Sequence, residues 1–212
     1  EQSASSHSLT LRRPLRVRRV ATRRYAVDGT PTDSVLLGVH EVMKSARPDV
    51  LLSGINRGGN LGEDITYSGT VAAAMEGTLL GLPSVALSQH YKDRQRVSWK
   101  TAETWVARVL KSLLKEDWPA GVFMNVNFPD VPPGAVTGIE FSRQGRRKIG
   151  GALIEGRDPR GDKYFWIGSQ RDEDELQTGT DLGVVTAGGI AVTPLSMDLT
   201  HQSMLKKMKV IM

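Results

Sequence analysis

The stretch from Asp49 to Ser88 constrains the fold more than any other part of the chain. Asp49-Val50-Leu51-Leu52-Ser53 is a short, continuously apolar run, the pattern of a strand buried on both faces of a parallel sheet. A glycine-rich loop follows from Gly54 to Tyr67. A helix then starts at Ser68-Gly69-Thr70 and continues to about Leu80. Gly81 and Pro83 end that helix, and Ser84-Val85-Ala86-Leu87-Ser88 reads as the next buried strand. Strand, loop, helix and strand make a βαβ unit. The expected fold is therefore α/β and Rossmann-like, a mostly parallel sheet flanked by helices.

The flanking segments fit around that unit. Leu9 to Val20 suggests an exposed, arginine-rich strand pair, and Tyr25 to Gly29 ends in a turn. Thr30-Pro31-Thr32-Asp33 is a helix start: a threonine cap, proline at the first helical position and an acid three residues after the cap. That helix is expected to run through Val35, Leu36, Val39 and Met43 and to stop before Pro48. Ser98 to Glu116 places Ala102, Trp105, Val106, Val109, Leu110 and Leu113 on one helical face. Val122 to Phe128 reads as a strand. Beyond Pro129, short strands around 138–142, 164–167 and 190–193 alternate with charged loops, and a terminal helix begins near Asp198-Leu199-Thr200. This predicts one domain over residues 1–212. Its α/β core reaches residue 128, and a β-rich extension over 129–212 packs on the core and serves subunit contact.

Composition excludes several chemistries. The chain has no cysteine, so disulfides and thiolate metal sites are out, and a reducing compartment such as the cytoplasm is the expected location. His7, His40, His90 and His201 are scattered without metal-ligand spacing. No apolar run approaches the ~18 residues of a membrane span, and residues 1–8 have no signal-peptide character. Dinucleotide, P-loop and nucleophile-elbow motifs are all missing. The net charge of +5 favours anionic partners. Much of it sits on Arg12, Arg13, Arg16, Arg18, Arg19, Arg23 and Arg24. Without interleaved aromatics, that cluster reads as a solvated strand-and-turn face rather than a nucleic-acid patch.

The chemistry concentrates in the loop after Ser53. Ligands of open α/β sheets bind beyond the carboxyl ends of the strands, and this loop leaves such an end. Asn56 and Asn60 supply neutral amide groups suited to a hard cation or to phosphate oxygens. Ser68-Gly69-Thr70 opens a helix, where free N–H groups and the dipole favour an anion. Ser68 is equally a plain helix cap, and capping also accounts for Asp33.

The run Ser53-Gly54-Ile55-Asn56, Asn60-Leu61-Gly62, Tyr67-Ser68-Gly69-Thr70-Val71-Ala72-Ala73-Ala74-Met75-Glu76-Gly77 and Gly81-Leu82-Pro83 closely resembles the SurE family. So do Asp28 to Asp33, Asn125-Val126-Asn127, Arg143-Gln144-Gly145-Arg146-Arg147 and Thr193-Pro194-Leu195 with Asp198-Leu199-Thr200. The resemblance implies a divalent-metal-dependent nucleotidase, acting on 5′- and 3′-nucleoside monophosphates and on short polyphosphate. It implies one Mg²⁺ or Mn²⁺ per subunit, with Ser3 and Asn56 as metal ligands. Asn60, Ser68, Gly69 and Thr70 would form the phosphate cradle, and the subunits would form a homodimer or homotetramer, with no membrane or nucleic-acid partner. Gly59 departs from a proline usual in the family. The family also opens with a strand ending in Asn-Asp-Asp-Gly, whose aspartates hold the metal, and this sequence has no adjacent Asp pair. No catalytic residue is therefore assignable. A preceding strand–helix unit plus a strand, on the order of 35 residues, is expected in the native protein. The competing expectations are a non-catalytic nucleotide- or RNA-binding module and a purely structural oligomerisation fragment.

Overall fold

The computed structural model describes residues 5–93, 95–149, 153–168, 171–173 and 177–211. In chain order its elements begin with β1 (Val17–Ala21), β2 (Arg24–Val27), α1 (Pro31–Leu37), β3 (Leu51–Arg57), α2 (Gly69–Leu79) and β4 (Ser84–Gln89). They continue with α3 (Lys100–Leu113), β5 (Val122–Phe128), β6 (Ile139–Phe141), β7 (Arg147–Ile149), β8 (Leu153–Arg157) and β9 (Lys163–Ile167). The last are β10 (Arg171–Glu173), α4 (Asp181–Thr186), β11 (Ile190–Ser196) and α5 (Gln202–Ile211).

The central sheet has the order β3-β4-β5-β11-β6. β3, β4 and β5 run parallel, and β11 lies antiparallel to β5 and parallel to β6. The expected βαβ unit is thus present. Two of the five strands come from beyond residue 128, so the C-terminal half completes the sheet as well as extending from it. Three two-stranded ribbons stand apart: β1–β2, β7–β10 and β8–β9.

Alternation along the strands sorts two cores. Val85 and Leu87 of β4, Met124, Val126 and Phe128 of β5, and Ile190 and Val192 of β11 pack against Ala102, Val109 and Leu113 of α3. On the other face, Ala86 and Phe123 meet Val71 and Ala74 of α2, with Ile65. Each large apolar side chain so buried contributes about 1.5–3 kcal/mol. α2 is alanine-rich and buried on most of its surface, which lets it lie close to the sheet. Gly77 marks the closest approach: a Cβ there would stand 2.5 Å from Ser84 Oγ and 2.9 Å from Leu51 Cδ1. This packing fixes where the tip of α2 lies.

The capping box at Thr30 forms as expected, with Thr30 Oγ1 accepting from Asp33 N (3.1 Å) and Asp33 Oδ2 accepting from Thr30 N (2.8 Å). The helix is shorter than expected. After Leu37 the backbone widens into a π-helical turn over Gly38–Val42, because glycine at position 38 weakens regular helix propagation. The arginine-rich strand pair closes across Thr22–Arg23 and not within residues 9–20.

Candidate functional site

β3 delivers Asn56 to the carboxyl end of the parallel strands, and the chain returns to the same end to begin α2. Asn56 is half-buried, and its Nδ2 donates to Gly58 O at 2.9 Å. That bond fixes the amide orientation and leaves Oδ1 as the acceptor the site can use.

The loop beyond it is pinned by buried polar groups on the α2-facing side of the sheet. Gly58 N donates to Gln89 O (2.9 Å), and Asn60 N donates to Asn127 Oδ1 (2.8 Å). Asn60 Nδ2 donates to Ser88 Oγ (2.7 Å), while Asn60 O accepts from Asn125 Nδ2 (2.8 Å) and Asn127 Nδ2 (3.1 Å). Asn60 is only 5% exposed; it is turned into the protein and anchors the loop from beneath.

Gly62 closes the loop. Its φ of +54° suits glycine, and a Cβ there would stand 2.8 Å from Arg147 N. Gly62 N donates to Asp181 Oδ2 (2.9 Å), and Asp181 Oδ1 accepts from Gly145 N (2.8 Å) and Leu182 N (2.8 Å). Burial pushes the Asp181 carboxyl up, against the pull of these three N–H groups. Gln144 Nε2 donates to Gly62 O (3.2 Å), and Arg147 Nε lies 3.7 Å from Asp64 Oδ2. One fully buried carboxylate thereby ties the loop to the C-terminal half.

At the tip of α2, Ser68 is the cap and its Oγ accepts from Val71 N at 3.1 Å. A hydroxyl that accepts one bond keeps its own proton to donate. The N–H groups of Gly69 and Thr70 have no intrahelical acceptor at these first-turn positions. Residues 5–7 run alongside: Ser6 N donates to Tyr67 O (3.1 Å), Ser6 Oγ to Thr66 O (2.8 Å), and His7 Nε2 lies 2.7 Å from Glu76 Oε2. Ser5 Oγ is buried without a hydrogen-bond partner, 3.2 Å from where a Cβ on Gly69 would sit. Pro31 Cγ lies 2.8 Å from the same point, so α1 and the N-terminal segment meet at this tip.

Of the residues expected in the site, Asn56, Ser68, Gly69 and Thr70 share the carboxyl end of the sheet. Asn60 lies beneath them, and Ser3 falls outside the described residues. Sequence reasoning missed Ser5, Ser88 and Asp181. Gly179-Thr180-Asp181 reads locally as a helix start, and nothing in it signals a bond to a glycine 119 residues away.

Among the described residues, no three His, Cys, Asp or Glu side chains gather to hold a metal ion. The donors beside the helix tip are neutral amides and hydroxyls, whereas a hard dication takes about six oxygens, carboxylates among them. The described residues do not by themselves fit a divalent cation. What they do fit is an anion.

The comparisons with known proteins agree in direction. The family model described as "Survival protein SurE" matches residues 1–151. A protein named 5′-nucleotidase SurE from Paramagnetospirillum magneticum is 60% identical over 209 residues, covering 99% of this chain and 80% of that protein. Its counterpart from Parvibaculum lavamentivorans is 51% identical over 209 residues, covering 97% and 76%. The crystal structure of the SurE protein from Aquifex aeolicus superposes with a TM-score of 0.84 at 40% identity, covering 99% of this chain and 84% of that one. The glycine loop with its oriented amide, the capped helix tip and the sheet that carries both lie within these matches, and the chain belongs to the SurE family.

Proposed function

We propose that this chain hydrolyses nucleoside monophosphates to nucleoside and phosphate at the tip of α2. The supporting observation is that β3 carries Asn56, its amide held by Gly58 O, to the carboxyl end of the parallel strands, the end from which the chain enters the Ser68-capped first turn of α2. The Gly69 and Thr70 N–H groups donate to the non-bridging phosphate oxygens, and the positive end of the helix dipole favours their charge. Ser68 and Thr70 add hydroxyl donors. Water attacks phosphorus as the bond to the nucleoside oxygen breaks, its hydroxyl staying on the phosphate and its proton going to the leaving oxygen, while the charge stays on the equatorial oxygens, where these fixed donors stabilise it. Asn60 holds the loop at its height above Ser88 and Asn127. The name of the two curated relatives, 5′-nucleotidase, supports the substrate class.

The finer assignments belong to the same proposal. A divalent cation, Mg²⁺ or Mn²⁺, with Ser3 and Asn56 among its ligands, would supply Lewis acidity when bound. Activity on 3′-monophosphates and short polyphosphate, and a cytoplasmic location, go with it. A homodimer or homotetramer is supported by apolar surface on the C-terminal half. No described residue of α5 is buried, and Phe165, Trp166 and Ile167 of β9 are exposed.

Phosphate release from 5′-AMP, 5′-GMP, their 3′ isomers and tripolyphosphate, with Mn²⁺ or EDTA, tests the reading. Release from 5′-monophosphates that EDTA abolishes supports it. Nucleotide binding without release under any metal supports the non-catalytic module instead.

A further inference from the structure

We propose that the β1–β2 ribbon binds the phosphodiester chain of single-stranded nucleic acid. Seven arginines lie between Arg12 and Arg24, and no acid occurs from Gln2 to Val27. The whole chain has 28 basic and 23 acidic residues. Without those seven arginines, 21 would face 23, and the net charge of +5 would become −2. The net positive charge of the protein therefore comes from residues 12–24, while the remainder is slightly acidic. A solubilising surface would mix both signs; this one does not.

The ribbon strands (Arg18, Arg19, Arg24), their turn (Arg23) and the segment leading into them (Arg12, Arg13, Arg16) hold these charges in solvent. All seven arginines are exposed. Asp28 lies 3.5 Å from Arg13 and 3.9 Å from Arg16, which leaves Arg12, Arg18, Arg19, Arg23 and Arg24 without an acidic partner among the described residues. The strands form a separate two-stranded sheet, so no neighbouring strand competes for the charges.

Two features favour a nucleic acid over a bare polyanion. Tyr25 follows Arg24 at the edge of the cluster, and the ribbon pairs it with Arg19 on the opposite strand, where it is 45% exposed, so folding sets one aromatic among the cations. Beside it, between the ribbon and α1, runs a groove of about 660 Å³ lined by Tyr25, Val27, Val42, Met43 and Ala46, with Arg23 also on its wall. A base stacked on the tyrosine, with its phosphate on the flanking guanidiniums, fits this combination of apolar wall and basic rim. The inference does not depend on the proposed hydrolysis.

Fluorescence anisotropy with a labelled 12-nucleotide single-stranded RNA lacking a terminal phosphate tests it on the full chain. Five phosphate contacts predict a log–log salt slope of about −3.5, roughly a hundredfold loss of affinity between 50 and 200 mM salt. The quadruple variant Arg18→Ala/Arg19→Ala/Arg23→Ala/Arg24→Ala is expected to weaken binding at least tenfold and flatten the slope, with its melting temperature and phosphate release from AMP unchanged. Tyr25→Ala alone is expected to weaken binding about tenfold. Absence of RNA binding at 50 mM salt, or equal binding by the quadruple variant, overturns the proposal. So does displacement of RNA by inorganic polyphosphate at equal phosphate concentration combined with no effect of Tyr25→Ala. An RNA-binding protein that releases no phosphate from AMP would sink the hydrolytic reading and leave this one standing.

Discussion

Asn56 and Asn60 have the same side chain four positions apart, and the structure gives them opposite tasks. Asn56 keeps an acceptor oxygen for a ligand because its nitrogen is taken by Gly58; Asn60 has its nitrogen on Ser88 beneath the loop. Asn56→Ala is expected to lower phosphate release by a factor of ~10² or more while the melting temperature stays within a few degrees, since a half-buried side chain with one hydrogen bond contributes only about 1 kcal/mol. Asn60→Ala should do the reverse first, lowering the melting temperature. Asp181→Ala leaves three buried N–H groups without their acceptor and is expected to cost about 3 kcal/mol or more in denaturant unfolding. Asp33 and Asp181, both buried, respond to pH in opposite senses. Burial pushes Asp33 up, but hydrogen bonds from Thr10 and Thr30 outweigh it and hold its carboxyl below the ordinary value near 4. Its stabilisation is present above that value and lost as pH falls through the depressed one. Asp181 is raised, so its contribution is complete below the ordinary value and lost as pH rises through the raised one. Asp33→Asn should therefore flatten the acid limb of the stability profile, and Asp181→Asn the limb above pH 4.

At the scale of the element, the cap of α2 sits between stability and function. Ser68→Ala removes the acceptor for Val71 N and is expected to cost about 1 kcal/mol of stability. Ser68→Gly should cost only a few tenths. If the hydroxyl also donates to substrate, both variants lose the same fraction of activity despite their different stabilities, and thermal melts beside phosphate-release assays separate the two effects. The elements themselves were legible wherever local chemistry fixed them. Thr30 with Asp33 announced α1, and Val122 to Phe128 matched β5 residue for residue; the run Asp49 to Ser53 announced β3, but the strand continues through Gly54 and Asn56 to Arg57, where glycine had suggested a loop. The end of α1 was hidden, because the turn at Gly38 trades regular helix for a widened one. The start of α4 is written locally in the Thr180 cap, but the packing of Leu182, Val184 and Val185 with Leu61 was hidden, a contact no local pattern reveals.

Across the whole molecule, the sequence conveyed the parallel half of the sheet and the position of its ligand-binding end. It did not convey that β11 inserts beside β5 in the antiparallel sense, since pairing Ala191 with Asn127 joins segments 64 residues apart. The same distance hid the amide cluster that supports the site, because Asn60, Ser88, Asn125 and Asn127 are neighbours only after folding. The exposed apolar side chains of β9 and α5 predict association. Light scattering is expected to give twice or four times the 23.2 kDa chain mass, and Phe165→Asp/Ile167→Asp should shift it to the single-chain value. The central claim, that the first turn of α2 receives the substrate phosphate, is tested most directly by following backbone amide resonances during titration with AMP. Gly69 and Thr70 are predicted to show the largest saturable shifts, with Asn56 following; shifts confined to other surfaces, with those two amides unmoved at saturation, would contradict it.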